Sequence, residues 1–390
     1  QLGNQAGIGL YDHYQYINIG GTYPFGNSNN PLKVPNASLG AMPAVDRTWE
    51  TIETYNAGID FATLNNRLSG TFDYFIKDNK NMFYAEEFPT ILGTSAPSIN
   101  GAHVRTNGWE LTLNWKDKIG KVGYRIGLNL SDNKTKVISL SDSRNPGHGL
   151  MGFVEGYPTN SFFIYEFDGF IKDEADLADY KTKMKGGVPT NLRVGDAKYV
   201  DKDGDGVLEP TLYKEGDPNS GDIVYKGTNN QRYLYGINLG LDWKGIDISA
   251  FLQGVGKWDC INGTYAGGGE VWKQSSQYFY HNTWSPDRPN AEYPRLTQDG
   301  GIHGYNYQWS DAPYKFFNNR YLRLKEVQIG YTFPTTLTKK IGVEKLRVYA
   351  TGMNLLEWDN LPNGFDPEAP YTENLIPFSR TYSIGVNVQF

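Results

Sequence analysis

A single cysteine, Cys260, stands among 390 residues, so no internal disulfide can brace this chain. That is compatible with an oxidising compartment without demonstrating one. No apolar run reaches the roughly 18 residues that a transmembrane helix requires. A mean hydropathy of -0.54 does not argue against a membrane barrel, where only alternate residues of each strand meet lipid. Positive charge is scarce as well: the formal net charge of -6 argues against a nucleic-acid partner. The five histidines (His13, His103, His148, His281 and His303) are too dispersed for a paired metal site. There is no serine elbow, no Cys/His dyad and no Walker-type loop, since Gly267-Gly268-Gly269 has no lysine after it. Carboxylates abound, but no spacing singles out an acid/base pair, so an enzyme is not expected. The chain opens on Gln1 without a signal-peptide pattern, which reads as a mature chain or, better, a fragment.

What the sequence does contain is glycine (45), tyrosine (28), phenylalanine (19) and tryptophan (9), a composition of strands and tight turns. Its repeating unit is a stretch of roughly 10 to 13 residues with period two. Trp109, Leu111, Leu113 and Trp115 alternate with Glu110, Thr112, Asn114 and Lys116. Val122, Tyr124, Ile126, Leu128 and Leu130 alternate with Gly123, Arg125, Gly127, Asn129 and Ser131. Tyr233 to Trp243 repeats the rhythm. Similar runs cover 50–62, 67–80, 246–257, 319–333, 344–355 and 379–390, with a weaker one near 8–20. A tilted strand crosses a bilayer in about 9–11 residues, whereas strands of soluble domains run nearer 5–6. Aromatic residues at the ends of the runs suit an interfacial girdle. A soluble sandwich or a fibre would alternate too.

Short turns at Leu64-Asn65-Asn66, Asp117 to Gly120, Lys244-Gly245 and 334–343 alternate with long segments at 21–49, 81–103, 134–230, 258–318 and 356–378. That is the outer-membrane arrangement, with turns periplasmic and loops extracellular. Ten spanning strands satisfy the parity only if 160–171 belongs to a loop. The expected fold is therefore an all-β transmembrane antiparallel barrel in which 1–390 forms part of one barrel domain and 134–230 and 258–318 are extracellular loops. The last run places Ile384, Val386, Val388 and Phe390 on one face and ends on an aromatic residue, the form of an outer-membrane insertion signal. An open sheet cannot sit in lipid with unpaired edges, so the strands must close or continue into another, N-terminal stretch of barrel.

Several stretches resemble the SusC/RagA family of TonB-dependent outer-membrane transporters of Gram-negative bacteria. They are Gly3-Asn4-Gln5, Thr54-Tyr55-Asn56-Ala57-Gly58-Ile59-Asp60-Phe61, Asn66-Arg67-Leu68-Ser69-Gly70, and Arg105-Thr106-Asn107-Gly108-Trp109-Glu110-Leu111. Further along come Phe251 to Gly256, Tyr321 to Lys325, and Arg347 to Leu355. The set spans nearly the whole chain in order. The resemblance implies a roughly 22-stranded barrel of which these would be the last ten strands. It implies a plug domain and a TonB box, neither of which has a counterpart here, and powering by the TonB complex. It implies a SusD-like surface lipoprotein as partner and import of oligosaccharides or peptides. The other readings are a passive or adhesive outer-membrane barrel and a secreted soluble carbohydrate-binding β protein.

Two further features could bind ligands. Asp201-Lys202-Asp203-Gly204-Asp205-Gly206 resembles the first half of a calcium loop: Asp201, Asp203 and Asp205 would converge on a Ca2+ ion, Gly206 would permit the turn and Val207 would offer its carbonyl. Position twelve is Leu212 rather than Glu, leaving Glu209, Asp217 or Asp222 to complete the shell. Such an ion would be structural. Trp258, Trp272, Tyr278, Trp284 and Trp309 lie in the long loops and could stack on sugar rings, or equally pack the loops together or against a lid.

Overall fold

A computed structural model describes residues 2–5, 13–27, 30–40, 42–43, 47–85, 91, 98–141, 146–261, 281–361, 366–368 and 379–390. The wall strands are β1 (Leu2–Gln5), β4 (Glu50–Thr63), β5 (Leu68–Ala85), β6 (Ser98–Ile119), β7 (Val122–Leu140), β13 (Arg232–Trp243), β14 (Ile246–Lys257), β17 (Tyr321–Thr332), β18 (Lys345–Asp359) and β19 (Thr381–Gln389). They form one ten-stranded sheet in that order, each pairing antiparallel with its neighbour. Within the described residues β1 and β19 each pair on one side only.

Register carries the period-two pattern across the whole wall. Phe61 faces Gly70, and the row continues through Leu113, Leu128, Ile237, Leu252, Leu324 and Leu356. Next to it Asp60 faces Thr71, and that row runs through Thr112, Asn129, Gly236, Gln253, Arg323 and Glu357. One face is thus apolar and the other polar, because a slip of one residue would exchange them. The apolar face is bare: Ile59 is 66%, Ile329 52% and Ile384 83% exposed. A soluble sandwich would bury that row against a second sheet, and among the described residues none covers it.

Aromatic side chains border the apolar face. Trp115, Tyr124, Trp243 and Tyr331 lie toward the short-turn end, where the Trp115 indole N–H donates to the Tyr124 hydroxyl at 3.2 Å. Tyr74 opposite Trp109, with Tyr235, Trp358 and Tyr382, lies toward the other end. Tyr235 and Trp243 are separated by about 27 Å along β13, which suits the apolar band of an outer-membrane barrel. The short turns are tight: Leu64, Asn65 and Asn66 all have positive φ, as do Lys244 (46°) and Gly245 (86°). That last pair closes a two-residue hairpin that matches strand twist.

Three boundaries differ from expectation. The weak run near 8–20 is not the first wall strand; Leu2–Gln5 is, paired with Glu53 to Glu50. Ile17–Asn27 (β2) instead forms a separate hairpin with Asn30–Leu39 (β3), while 6–12 lies outside the described residues. Gly20-Gly21 and Pro24 explain this, since they weaken the run as a central strand. The segment 81–103 contributes wall at both of its ends, because β5 and β6 stay paired out to Ala85 and Ser98 through bulges near Asn79/Met82. The 134–230 connection begins later for the same reason, with β7 running to Leu140.

The long connections are not loose. Gly149–Met151 (β8), Ser161–Tyr165 (β9) and Ile223–Thr228 (β12) make a three-stranded sheet, and Phe167–Phe170 (β10) pairs with Ala197–Tyr199 (β11). With them pack helix α1 (Glu174–Lys183), strands β15 (Asp259–Ile261) and β16 (Phe316–Asn318), and helix α2 (Gly300–Asn306). Helix α3 (Thr335–Thr338) lies in the connection from β17 to β18. Residues 160–171 fall outside the wall, as parity demanded. All five residues of β9 are buried, which is why Ser161-Phe162-Phe163-Ile164-Tyr165 does not alternate.

Candidate functional site

The wall and the body built by its long connections together define one candidate site: a polar inner face open beneath a folded cap. Inner-face residues Asn114, Lys116, Arg125, Asn238, Ser249 and Glu326 line a concavity near the short-turn end. Arg125 meets Asp242 at 2.9 Å across the strands. Nearer the cap, buried Arg323 donates to Glu357 and Asp366, each at 2.7 Å, and Lys325 reaches Glu368 at 2.9 Å. Those ion pairs tie residues 366–368 down onto β17.

The cap has its own core. Phe163, Tyr165, Ile171, Leu177, Tyr180, Tyr199, Leu212, Ile223, Ile302 and Tyr305 are buried in one cluster. Both long insertions contribute to it, and hydrogen bonds cross between them. Tyr165 N donates to Trp309 O at 3.0 Å, Ala197 N to Asn306 Oδ1 at 3.0 Å, and the Tyr199 hydroxyl to Tyr305 O at 2.9 Å. Buried Asp196 receives Arg295 Nη2 and Asn306 Nδ2, both at 3.0 Å. Glu166 receives Lys202 at 2.6 Å and Lys226 at 2.7 Å. The hydrogen bonds from Lys202, then from Lys226, hold its carboxyl below the usual range, against the opposing effect of burial.

The acidic loop folds as its spacing suggests, with the carboxylate oxygens of Asp201, Asp203 and Asp205 within 4.8 Å of one another. Asp201 accepts from Gly204 N and Gly206 N, both at 2.9 Å, and Asp205 from Val207 N at 2.6 Å. Gly206 has φ +88°, and a Cβ there would meet Lys183 O at 2.8 Å, so glycine is required. Leu212 is buried in the cap core and cannot supply a ligand. Asp222 is buried and braces the loop from below, accepting from Lys202 N at 2.6 Å and Glu209 N at 2.7 Å. Burial raises its carboxyl above the usual range, backbone donors oppose that rise, and the charges of Asp203 and Asp201 add to it. The three facing carboxylates of Asp201, Asp203 and Asp205 form an oxygen-rich donor set of the kind hard cations take.

The loop tryptophans separate. Trp258 is buried with Val255, Cys260 and Tyr321, and its indole N–H donates to Asn229 Oδ1 at 2.8 Å. The residue is only 8% exposed, so little of its ring faces outward. Trp284 is half-buried, its ring against Gly195, where a Cβ would meet it at 2.3 Å. Trp309 is half-buried beside the Phe162, Ile164 and Ile261 cluster, with Lys315 Nζ 5.8 Å from its ring centre. Burial lowers the Lys315 amine to about 8. Trp272 and Tyr278 lie outside the described residues. Period and spacing did not reveal Arg323, Asp196 or Glu166; ion pairs between distant segments have no local sequence signature.

Ile384, Val386 and Val388 occupy the outward face of β19, and Phe390 just beyond it is 86% exposed.

No family model matches the chain. Among curated proteins it is 27% identical over 370 residues to TonB-dependent receptor P3 of Formosa agariphila, an alignment covering 88% of this chain and 34% of that protein. It is 24% identical over 395 residues to TonB-dependent receptor SusC of Bacteroides thetaiotaomicron, covering 94% of this chain and 34% of that one. The solved RagAB peptide transporter superposes on all of it with TM-score 0.72 and 21% identity, over 40% of that chain, which shows a shared fold. The chain therefore spans about a third of the length of the curated relatives it matches. Over most of its length the chain is thus similar to TonB-dependent outer-membrane receptors of the SusC type, and it shares the β-barrel wall fold of the RagAB transporter.

Proposed function

We propose that this chain is the wall and mouth of a TonB-dependent importer of bulky nutrients, oligosaccharides or peptides, and carries out no covalent chemistry. The observation behind this reading is the pairing of a bare apolar face with a polar inner face under a folded cap. The ligand binds between the cap end, which faces outward beneath a SusD-like lipoprotein, and a plug carried outside these residues. Passage follows when TonB displaces the plug. The similarity to a peptide transporter keeps peptides beside glycans as candidate cargo. Trp284 and Trp309 are the aromatic surfaces available for ligand contact, Ca2+ at Asp201, Asp203 and Asp205 stiffens the cap, and Ile384, Val386, Val388 and Phe390 serve as the insertion signal.

The test is uptake of labelled oligosaccharide and peptide mixtures by cells with and without the full-length gene, repeated with TonB inactivated. Loss of uptake in both strains is expected. Uptake lost with the gene but indifferent to TonB would mean a passive pore, and partner adhesion without uptake an adhesive barrel.

A further inference from the structure

We propose that the outward face of β5 to β7, just beyond the cap-side aromatic girdle, binds the phosphate groups of an outer-leaflet glycolipid. Register places the residues. Ile76, Asn107 and Lys134 form one outward row, and Asp78, Arg105 and Lys136 form the next. Both share the parity of Phe72, Trp109, Leu111 and Leu130. Lys134, Arg105 and Lys136 are exposed, while their inward neighbours Val104 and Val137 are only 7% and 0% exposed. The cap therefore fixes which way these cations point.

The charges on this face do not cancel. Asp78 accepts from Arg105 Nε at 2.9 Å and Nη2 at 3.1 Å and also meets His103 at 2.8 Å, and Glu53 meets Lys80 at 2.8 Å. Asp132 is paired with Arg232. Lys134 and Lys136 pair with no carboxylate among the described residues. Two residues apart on one strand, they stand about 7 Å from each other, a spacing suited to clamping one phosphate or two adjacent ones. Arg105 lies four residues beyond Trp109, about 13 Å along a tilted strand. That is the level of head groups rather than acyl chains.

This rests on the proposed orientation, with the cap end outward. An epitope inserted after Gly216 and read on intact cells tests that orientation independently; an epitope unreachable from outside overturns the proposal on that ground. Binding is measured on the full-length transporter in detergent at low ionic strength, with bisphosphorylated lipid A, its dephosphorylated form and inorganic phosphate as probes. The native protein should prefer the bisphosphorylated lipid, and K134Q/K136Q should weaken that binding about thirtyfold, while K118Q/K121Q at the opposite rim should not. Arg105 stays unaltered, because its loss would strand buried Asp78. Equal binding of both lipids, equal competition by inorganic phosphate, or retention in the Lys134/Lys136 variant would overturn the proposal.

Discussion

The hydroxyls of Tyr180 and Tyr305 meet at 2.9 Å, joining two insertions whose contact residues are 125 positions apart. Tyr180 sits on α1 and Tyr305 on α2, so this bond closes the cap between two separate excursions from the wall. Tyr305→Phe should cost about 1 kcal/mol by removing one hydrogen bond of the buried Tyr180 hydroxyl, which keeps Tyr199 N as a donor at 3.2 Å. Limited proteolysis should show faster cleavage within 141–231 while the barrel keeps its heat-modifiable migration. Unchanged cleavage would mean the cap does not depend on this bond.

Asp196 offers a larger effect. It is fully buried and held by Arg295 and Asn306. Removing the cation with Arg295→Met should destabilise the cap by about 3 kcal/mol or more, because an unmatched buried carboxylate remains. Arg295→Met combined with Asp196→Asn should recover part of the loss, measured as the denaturant midpoint of cap fluorescence.

Acid should loosen the cap. Glu166 ordinarily titrates near 4.5, and its hydrogen bonds from Lys202 and then Lys226 lower that value in the folded state. A lowered carboxyl contributes stability that is full above about pH 4.5 and fades as pH falls through the folded value. Cap protease resistance should hold to about pH 5 and drop below it, and Glu166→Gln should flatten that dependence.

A bound Ca2+ should make cap stability respond to chelation. EGTA should lower the cap's melting temperature and added Ca2+ restore it, with Asp201→Asn abolishing the response. Indifference of the native protein to EGTA would refute the ion. The brace at Asp222 uses backbone amides and should survive in either case.

Deleting Phe390 should reduce the amount of full-length protein assembled in the outer membrane several-fold and leave synthesis unchanged. Assembly at native levels would show that the outward row of β19 is not read during insertion.

Sequence alone determined the wall. Period two is a local property, and runs such as Val122 to Ser131 or Tyr233 to Trp243 display their two faces without knowledge of any neighbour. Turn chemistry at Leu64-Asn65-Asn66 and Lys244-Gly245 was equally legible, as was the folding of Asp201 to Gly206 into an acidic loop. Tertiary structure decided what the long connections are. The pairs Tyr180 with Tyr305, Asp196 with Arg295, and Arg323 with Asp366 link segments tens of residues apart or more. Burial of Trp258 depends on Asn229 from another connection. Such contacts are set by which chain returns beside which, and period two records nothing about that. The first wall strand shows the same limit, since Leu2–Gln5 is a strand because β4 offers it an edge.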